Sequence, residues 1–444
     1  MKTPIADFVK KYADSGAVRL HMPGHKGRGA LGVESLDITE INGADVLSDA
    51  TGIIGESEKN AASLFGTKRT FYSTEGSTLC IKAMLGAALL CAPKSKARPF
   101  VLAARNVHKA FVYACALLDL DVKWIYPDKG EHLCKCTVTA EKLKAELCDE
   151  KPIAVYITSP DYLGNVANIS QISAVCKASG VPLLVDNAHG AYLKFLNPSR
   201  HPLDLGADMC CDSAHKTLPV LTGGAYLHIS SALDDRYVVA AGKMLALNSS
   251  TSPSYLILQS LDLCNRRLSE SFSAELEILV KKLEQFKCTL KKIGFKDESD
   301  EPLKVTINAL KAGTTGIALA DTLRSFNIEP EFYDEQYLVL MASPDNTDED
   351  FKKLTKAFEM LEPKAKSVTE AIMVEPLEQV TSIREAVLCD SETVFVDNAL
   401  GRVCAGVTVS CPPAVPIAVS GERITANAVK ALKKYGIKAI DVIK

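Results

Sequence analysis

The sequence lacks any long hydrophobic run. Its longest, Met84 to Ala92, falls far short of the ~20 apolar residues that a membrane-spanning helix needs. It also lacks a charge imbalance: 51 Lys and Arg against 54 Asp and Glu leave a net charge of −3. That balance offers no basic footprint for nucleic acid and no polybasic patch for lipid, so neither partner is expected. Met1 to Tyr12 is charged and amphipathic, without an apolar signal core, and there is no internal repeat or low-complexity tract. Cysteine is plentiful, at fourteen residues, but a disulfide framework is missing: Cys80, Cys91, Cys115, Cys176, Cys210 and Cys211 lie on apolar runs. Reduced thiols in a cytoplasmic protein are expected. Cys134-Lys-Cys136 has no second ligand pair nearby, so no metal is expected. Gly27-x-Gly29-x-x-Gly32 matches a dinucleotide pattern, but the preceding His-Met-Pro-Gly-His-Lys cannot form the strand that pattern requires.

What is present is a chain of 444 residues, 47% hydrophobic and 24% charged, with the size of two or three domains. Helical spacing over residues 3–14 is followed by a Pro/Gly loop holding His21, His25 and Lys26, an arrangement suited to an anion or an active-site contact. Short β-rich runs then alternate with helices. Strands are expected at Arg69 to Thr74, Pro99 to Ala104, Val122 to Tyr126, Ile153 to Thr158, Leu183 to Asp186, Met209 to Cys211 and Gly224 to Ile229. The intervening helices are Glu56 to Phe65, Leu79 to Cys91, Ala110 to Leu118, Thr139 to Cys148 and Ile169 to Ala178. This alternation predicts an α/β fold with a mostly parallel, doubly wound sheet. A hydroxyl-rich loop, Asn248 to Tyr255, opens a helix at Pro253 within a helical region running to about Lys292. Residues 302–360 form a smaller α/β unit, with strands Lys304 to Ile307 and Tyr337 to Met341 and helices Gly316 to Phe326 and Asp348 to Met360. Pro363 to Thr369 resembles a linker. Beyond it come a helix (Ser382 to Leu388), a polar run (Asp390 to Arg402), a proline-rich loop from Cys411 and a last helix, Ala426 to Tyr435. The expected division is an N-terminal arm (1–40), a large domain (41–260), a small α/β domain (261–365) and a C-terminal domain (366–444).

Two strand ends carry the chemistry. Met209 to Cys211 ends in Ser213-Ala-His215-Lys216-Thr217, and a lysine hemmed in by apolar residues there is a candidate amine for a Schiff base. Leu183-Leu-Val-Asp186 ends in an acid that needs a cation beside it or would sit protonated. A pyridinium nitrogen is such a cation, and an Asp on the pyridinium with a Lys on the aldehyde is the pattern of pyridoxal 5′-phosphate (PLP) sites. The order strand, Gly76-Ser77-Thr78 turn, apolar helix adds a phosphate cradle of free helix N–H groups and two hydroxyls, unless those hydroxyls merely cap the helix. His108, just past another strand end, can stack on a flat ring or cap a helix.

These stretches together resemble the Orn/Lys/Arg decarboxylase family. The motifs are Leu20-His-Met-Pro-Gly-His-Lys-Gly27, Arg105-Asn-Val-His-Lys109, Asp186-Asn-Ala-His-Gly190, Ser213-Ala-His-Lys-Thr217, Ser250-Thr-Ser-Pro-Ser-Tyr255 and the proline-rich Cys411 to Glu422. They span about residues 18 to 430, in the family's order, as in the short form without the flavodoxin-like N-terminal domain. The resemblance implies the fold type I of PLP-dependent transferases, with smaller α/β C-terminal domains. It implies that Lys216 forms the Schiff base, Asp186 pairs with the pyridine nitrogen and His108 stacks on the ring. It further implies that Ser77, Thr78, Ser213 and His215 line the phosphate and amine region and that His189 supports the cofactor from behind. Thr251 or Ser252 would reach the phosphate of a neighbouring subunit, making a homodimer with shared active sites the minimum assembly. Four positions depart from the family's usual pattern: Asn187 for Glu, Glu75 for Asn, Gly223 for Gln and Cys411 for Tyr.

The expected function is therefore PLP-dependent decarboxylation of lysine, ornithine or arginine, yielding a polyamine or its precursor, with Lys216 or His215 returning the proton to the α-carbon. Asp45, Asp161 and Glu331 are candidate carboxylates for the substrate's distal cation. Two alternatives stand beside this. An aminotransferase or lyase of the same fold would need an arginine for a second carboxylate, with Arg402 and Arg423 as candidates. A catalytically silent homologue would serve as a regulator or binding partner.

Overall fold

The computed structural model describes residues 1–147, 151–363, 375–407 and 413–444. Cys148, Cys411, Pro412 and all but the first residue of the expected Pro363–Thr369 linker lie outside them. In chain order, helices α1 (Pro4–Asp14) and α2 (Ile53–Phe65) lead into β1 (Arg69–Ser73) and α3 (Gly76–Cys91). Next come β2 (Phe100–Ala104), α4 (Lys109–Leu118), β3 (Asp121–Ile125), α5 (Ala140–Glu146), β4 (Ala154–Thr158) and α6 (Ile169–Ser179). They are followed by β5 (Leu183–Asp186), β6 (Met209–Asp212), α7 (Ala214–Thr217), β7 (Ala225–Ile229), α8 (Asp235–Asn248), α9 (Tyr255–Glu270) and α10 (Phe272–Ile293). The chain continues through β8 (Lys304–Asn308), α11 (Gly316–Ser325), β9 (Phe332–Tyr333), β10 (Tyr337–Met341) and α12 (Asp348–Glu359). It ends with α13 (Ile383–Leu388), β11 (Ser391–Phe395), α14 (Ala426–Lys434) and β12 (Ala439–Ile443).

Two compact units emerge, residues 1–94 with 176–274 and residues 95–175 with 275–444. In the first, the strand order is β1-β7-β6-β5. β5 and β6 run parallel, while β7 is antiparallel to both of its neighbours. Helix α3 packs against α8, β6 and β7. Its sequence is apolar all round, as a helix enclosed on every side must be: Leu79, Cys80, Ile81, Ala83, Met84, Leu85, Ala87 and Ala88 are all buried. In the second unit, β4-β2-β3 is parallel throughout, and a separate three-stranded sheet runs β8-β10-β9. β11 and β12 pair antiparallel.

The architecture is the expected α/β class, with a mostly parallel large sheet. Several local expectations are corrected. The polar run Asp390 to Arg402 contains a strand, β11, since a strand paired on one side only needs no apolar face. The helix expected at Pro253 starts at Tyr255, because Ser254 caps it by accepting the Ile257 N–H. Helix α5 stops at Glu146. Among the described residues, no helix is long and apolar enough to cross a membrane.

Candidate functional site

β5 and β6 lie side by side, with Asp186 paired in register with Cys211. Their carboxyl ends therefore deliver the acid and the lysine turn together. Asp186 is buried, 2% exposed; one carboxylate oxygen accepts the Ala188 N–H at 3.2 Å and faces the Cys211 thiol at 3.7 Å. Just beyond β6, the four-residue helix α7 presents His215 and Lys216. Lys216 Nζ lies 3.1 Å from Nε2 of His189, a buried residue from the Asp186 loop. His215 donates Nδ1–H to the Gly224 carbonyl at 3.0 Å, which fixes the proton on that nitrogen. Burial pushes the His215 pKa down; the Gly224 bond opposes this and the Lys216 charge adds to it, so the imidazole is neutral near pH 7.

The first turn of α3 faces the same region. Ser213 donates to Ser77 Oγ at 2.7 Å. Gly76 N–H bonds the Gly223 carbonyl at 2.7 Å, tying the helix start to the loop after Lys216. Gly223 sits at φ +99°, and a Cβ there would lie 2.9 Å from the Thr74 carbonyl oxygen, so only glycine fits without strain. The residue before α3, Glu75, caps nothing with its side chain. Neither Ser77 nor Thr78 is the cap, and the N–H groups of the first turn have no helical partner. Glu75 instead accepts the Ser250 N–H at 2.8 Å, which holds the exposed Thr251–Ser252 segment beside this helix start.

The first unit thus gathers Ser77, Thr78, Asp186, His189, Ser213, His215 and Lys216, and it carries Thr251 and Ser252 on the loop that Glu75 anchors. His108 belongs to the second unit, where it caps α4 by accepting the Ala110 N–H at 3.1 Å. The candidate distal-cation acids are already engaged. Asp45 accepts five backbone N–H groups, among them Gly52 at 2.7 Å and Ile54 at 3.0 Å, at the start of α2. Asp161 accepts Leu163 N–H, Asn165 N–H and the Asn165 amide at 2.8–3.0 Å, closing its own loop. Glu331 accepts the Tyr162 hydroxyl at 2.8 Å. Sequence reasoning passed over Asp212, whose bond to Asn187 joins the ends of β5 and β6 at 2.6 Å. The alternation along β6 was the available signal, since it separates Asp212 from Cys211 across the sheet.

The donor set fits PLP. A helix start with no side-chain cap, next to two bonded serines, offers N–H and O–H groups to a dianion. A Cβ at Gly76 would meet nothing within 4 Å, so the approach to that helix start is open. A buried carboxylate suits a pyridinium, and an amine held by an imidazole suits an aldehyde.

Comparison with known proteins points the same way. The sequence profile of the Orn/Lys/Arg decarboxylase major domain matches residues 3–301. An arginine decarboxylase of Bacillus subtilis (strain 168) is 30% identical over 458 residues, covering 96% of this chain and 91% of that protein. The lysine decarboxylase of Francisella novicida superposes with a TM-score of 0.81 at 16% identity, over 100% of this chain and 81% of that one. A structure of SPT with PLP superposes with a TM-score of 0.54 at 15% identity, over 69% of this chain and 75% of that one. At such identities these two solved structures speak for the fold.

Proposed function

The chain belongs to the Orn/Lys/Arg decarboxylase family, and from that membership we propose that it decarboxylates a basic amino acid with PLP bound at Lys216. The observation that carries this reading is the contact of Lys216, just past β6, with His189, three residues after the buried Asp186 on the neighbouring strand, beside a helix start with no side-chain cap. When bound, PLP supplies the electron sink that takes up the pair left on the α-carbon as carbon dioxide departs. The chain's own residues do the rest. Asp186 holds its negative charge at the pyridine nitrogen and keeps a proton there. The first turn of α3, with Ser77, Thr78 and Ser213, binds the phosphate. His189 orients the Lys216 amine through their 3.1 Å contact. Lys216 or His215 returns a proton to the α-carbon, and the neutral state of His215 leaves Nε2 able to carry one.

Arginine is the first substrate to test, since the Bacillus subtilis relative bears that name; lysine and ornithine come next. The reading extends to His108 stacking on the ring, to Thr251 and Ser252 reaching the phosphate of a second copy in a cytoplasmic homodimer, to a place in polyamine synthesis, and to the four-part division at residues 40, 260 and 365. Arg402 and Arg423, the candidates for an aminotransferase's second carboxylate, are bound to Glu392 at 2.6 Å and Glu378 at 2.7 Å. That engagement favours decarboxylation. Lys216→Ala is expected to lose both the visible absorbance of bound PLP and carbon dioxide release from all three amino acids. Full turnover by that variant would overturn the assignment.

A further inference from the structure

Behind the Asp186–Cys211 pair lies a second buried acid with no assigned role. Side chains alternate along a strand, so Asn187 and Asp212 point to the face opposite Asp186 and Cys211. There Asn187 Nδ2 donates to Asp212 Oδ1 at 2.6 Å, while Asp212 Oδ2 meets His201 Nε2 at 3.1 Å and His228 Nε2 at 3.2 Å. All four residues are fully buried. His228 is fixed in turn by Thr70 Oγ1 at 2.8 Å, and Phe65 packs on its ring with centroids 4.3 Å apart. Burial pushes the Asp212 carboxyl up, but the His201 and His228 contacts outweigh that and hold it well below the usual range. The group is therefore a buried anion whose two oxygens accept from Asn187, His201 and His228.

A metal ion is the obvious rival, because single ligand atoms of His201, Cys210 and Asp212 all lie within 4.8 Å of one another. Two features oppose it. His201 Nδ1 accepts the Leu203 N–H, so its proton sits on Nε2, facing Asp212, and leaves no lone pair for a metal. Burial and the Asp212 charge also push the Cys210 thiol up, keeping it protonated.

We propose that Asp212 is a positioning residue of the cofactor site, bracing from behind the sheet both the strand end that bears Asp186 and the turn that bears Ser213 and Lys216. Asp212 is bonded to the side chain next to Asp186, directly precedes Ser213 and lies four residues before Lys216. Its charge is felt nearby as well: burial pushes up the thiols of Cys80 on α3 and Cys211 on β6, and Asp186 and Asp212 both add to that. The brace also explains Asn187: the family's usual Glu would set two carboxylates at hydrogen-bond distance in a dry site, so Asp212 requires an amide there. This inference rests on the reading that Asp186 and Lys216 hold PLP.

A charge swap tests it. Asn187→Glu is expected to weaken PLP binding to the apoprotein about 100-fold, and Asn187→Glu with Asp212→Asn to recover part of that loss, because only one carboxylate then remains in the dry site. Asp212→Asn alone keeps the geometry: Asn187 Oδ1 has no partner among the described residues, so its amide can turn over and accept from the new one. That variant is expected to melt, as apoprotein, near the wild type, yet to bind PLP about tenfold more weakly and to shift the pH midpoint of the bound cofactor's visible band. Wild-type PLP affinity and pH profile in Asp212→Asn, or a double variant no better than Asn187→Glu, would overturn the proposal. So would one equivalent of zinc that copurifies with the wild type and is lost in Asp212→Asn. PLP binding by the wild type is the control that separates failure here from failure of the cofactor assignment.

Discussion

Arg105→Ala should be among the most damaging substitutions in the second unit. Arg105 sits just past the end of β2, and its guanidinium donates to the Pro416 carbonyl at 2.8 Å, the Ile417 carbonyl at 3.1 Å and Glu422 at 3.2 Å. It also lies 5.1 Å from the centre of the Trp124 ring. Both Arg105 and Glu422 side chains are 1% exposed. Removing one partner of such a pair strands a buried charge, a loss of about 3–5 kcal/mol. Two backbone carbonyls lose their donor as well. The damage reaches His108, because this loop also accepts the Lys109 N–H through Ala414 at 2.9 Å, at the start of the helix that His108 caps. Trp124 is the chain's single tryptophan, so urea unfolding followed by its emission reports on this neighbourhood directly. For a denaturant slope of about 2–3 kcal/mol/M, the midpoint should fall by about 1–2 M. Two companion measurements probe the cause. Burial already pushes the Glu422 carboxyl up while Arg105 pulls it back. Without Arg105 that carboxyl protonates more readily, so the penalty should shrink as pH falls. Arg105→Met with Glu422→Leu should destabilise less than Arg105→Ala alone, since no charge is then left unpaired. A penalty under about 1 kcal/mol, or one equal at pH 5 and pH 8, would refute the argument from a stranded charge.

Gly223→Ala should destabilise by about 1–3 kcal/mol, because it forces a side chain into a left-handed conformation. It should also weaken PLP binding, as the Gly223 carbonyl anchors the start of α3; unchanged affinity by absorbance titration would count against that anchoring. Asp161 supplies a pH prediction. Burial pushes its carboxyl up to about 6, against hydrogen bonds from Asn165 and Leu163 and the charge of Lys304. With the folded value above the unfolded one, its contribution is whole below about pH 4 and is lost as pH rises through 6, about 3 kcal/mol in total. The wild type should therefore lose stability relative to Asp161→Asn between about pH 4 and 6.5, and parallel melting curves across that range would rule this out.

The parts of the fold that one segment specifies were legible in the sequence. Leu183 to Asp186 and Tyr337 to Met341 are strands with the expected bounds, because an unbroken β-branched or leucine-rich run admits little else. That Asp186 and Lys216 stand at the carboxyl ends of strands was legible too, from the apolar runs that precede them, whereas the pairing of those two strands side by side was not. What escaped notice depends on register. β11 and β12 pair through an exposed strand that offers no apolar alternation. The Asp212 hub joins residues 16 positions apart on β6 and β7 to a histidine on a loop, and only the Cys210–His228 register shows that they share a face.

The departures from the family pattern bear on whether the site works or has decayed. In a decaying site, substitutions accumulate without regard to their neighbours and leave unpaired charges or clashes. Here three of the four meet a matching feature of this chain. Asn187 donates to Asp212, where a glutamate would be repelled. Glu75 accepts the Ser250 N–H and so gains a partner for its charge. Gly223 adopts φ +99° against the Thr74 carbonyl, which a glutamine could not do without strain. Each change is complemented by a residue distant in sequence, as selection on a functioning pocket would produce. The same logic separates a tuned decarboxylase from a silent homologue by experiment. Restoring Asn187→Glu alone should damage the site, whereas in a decayed pocket a step back toward the family pattern should be neutral or beneficial.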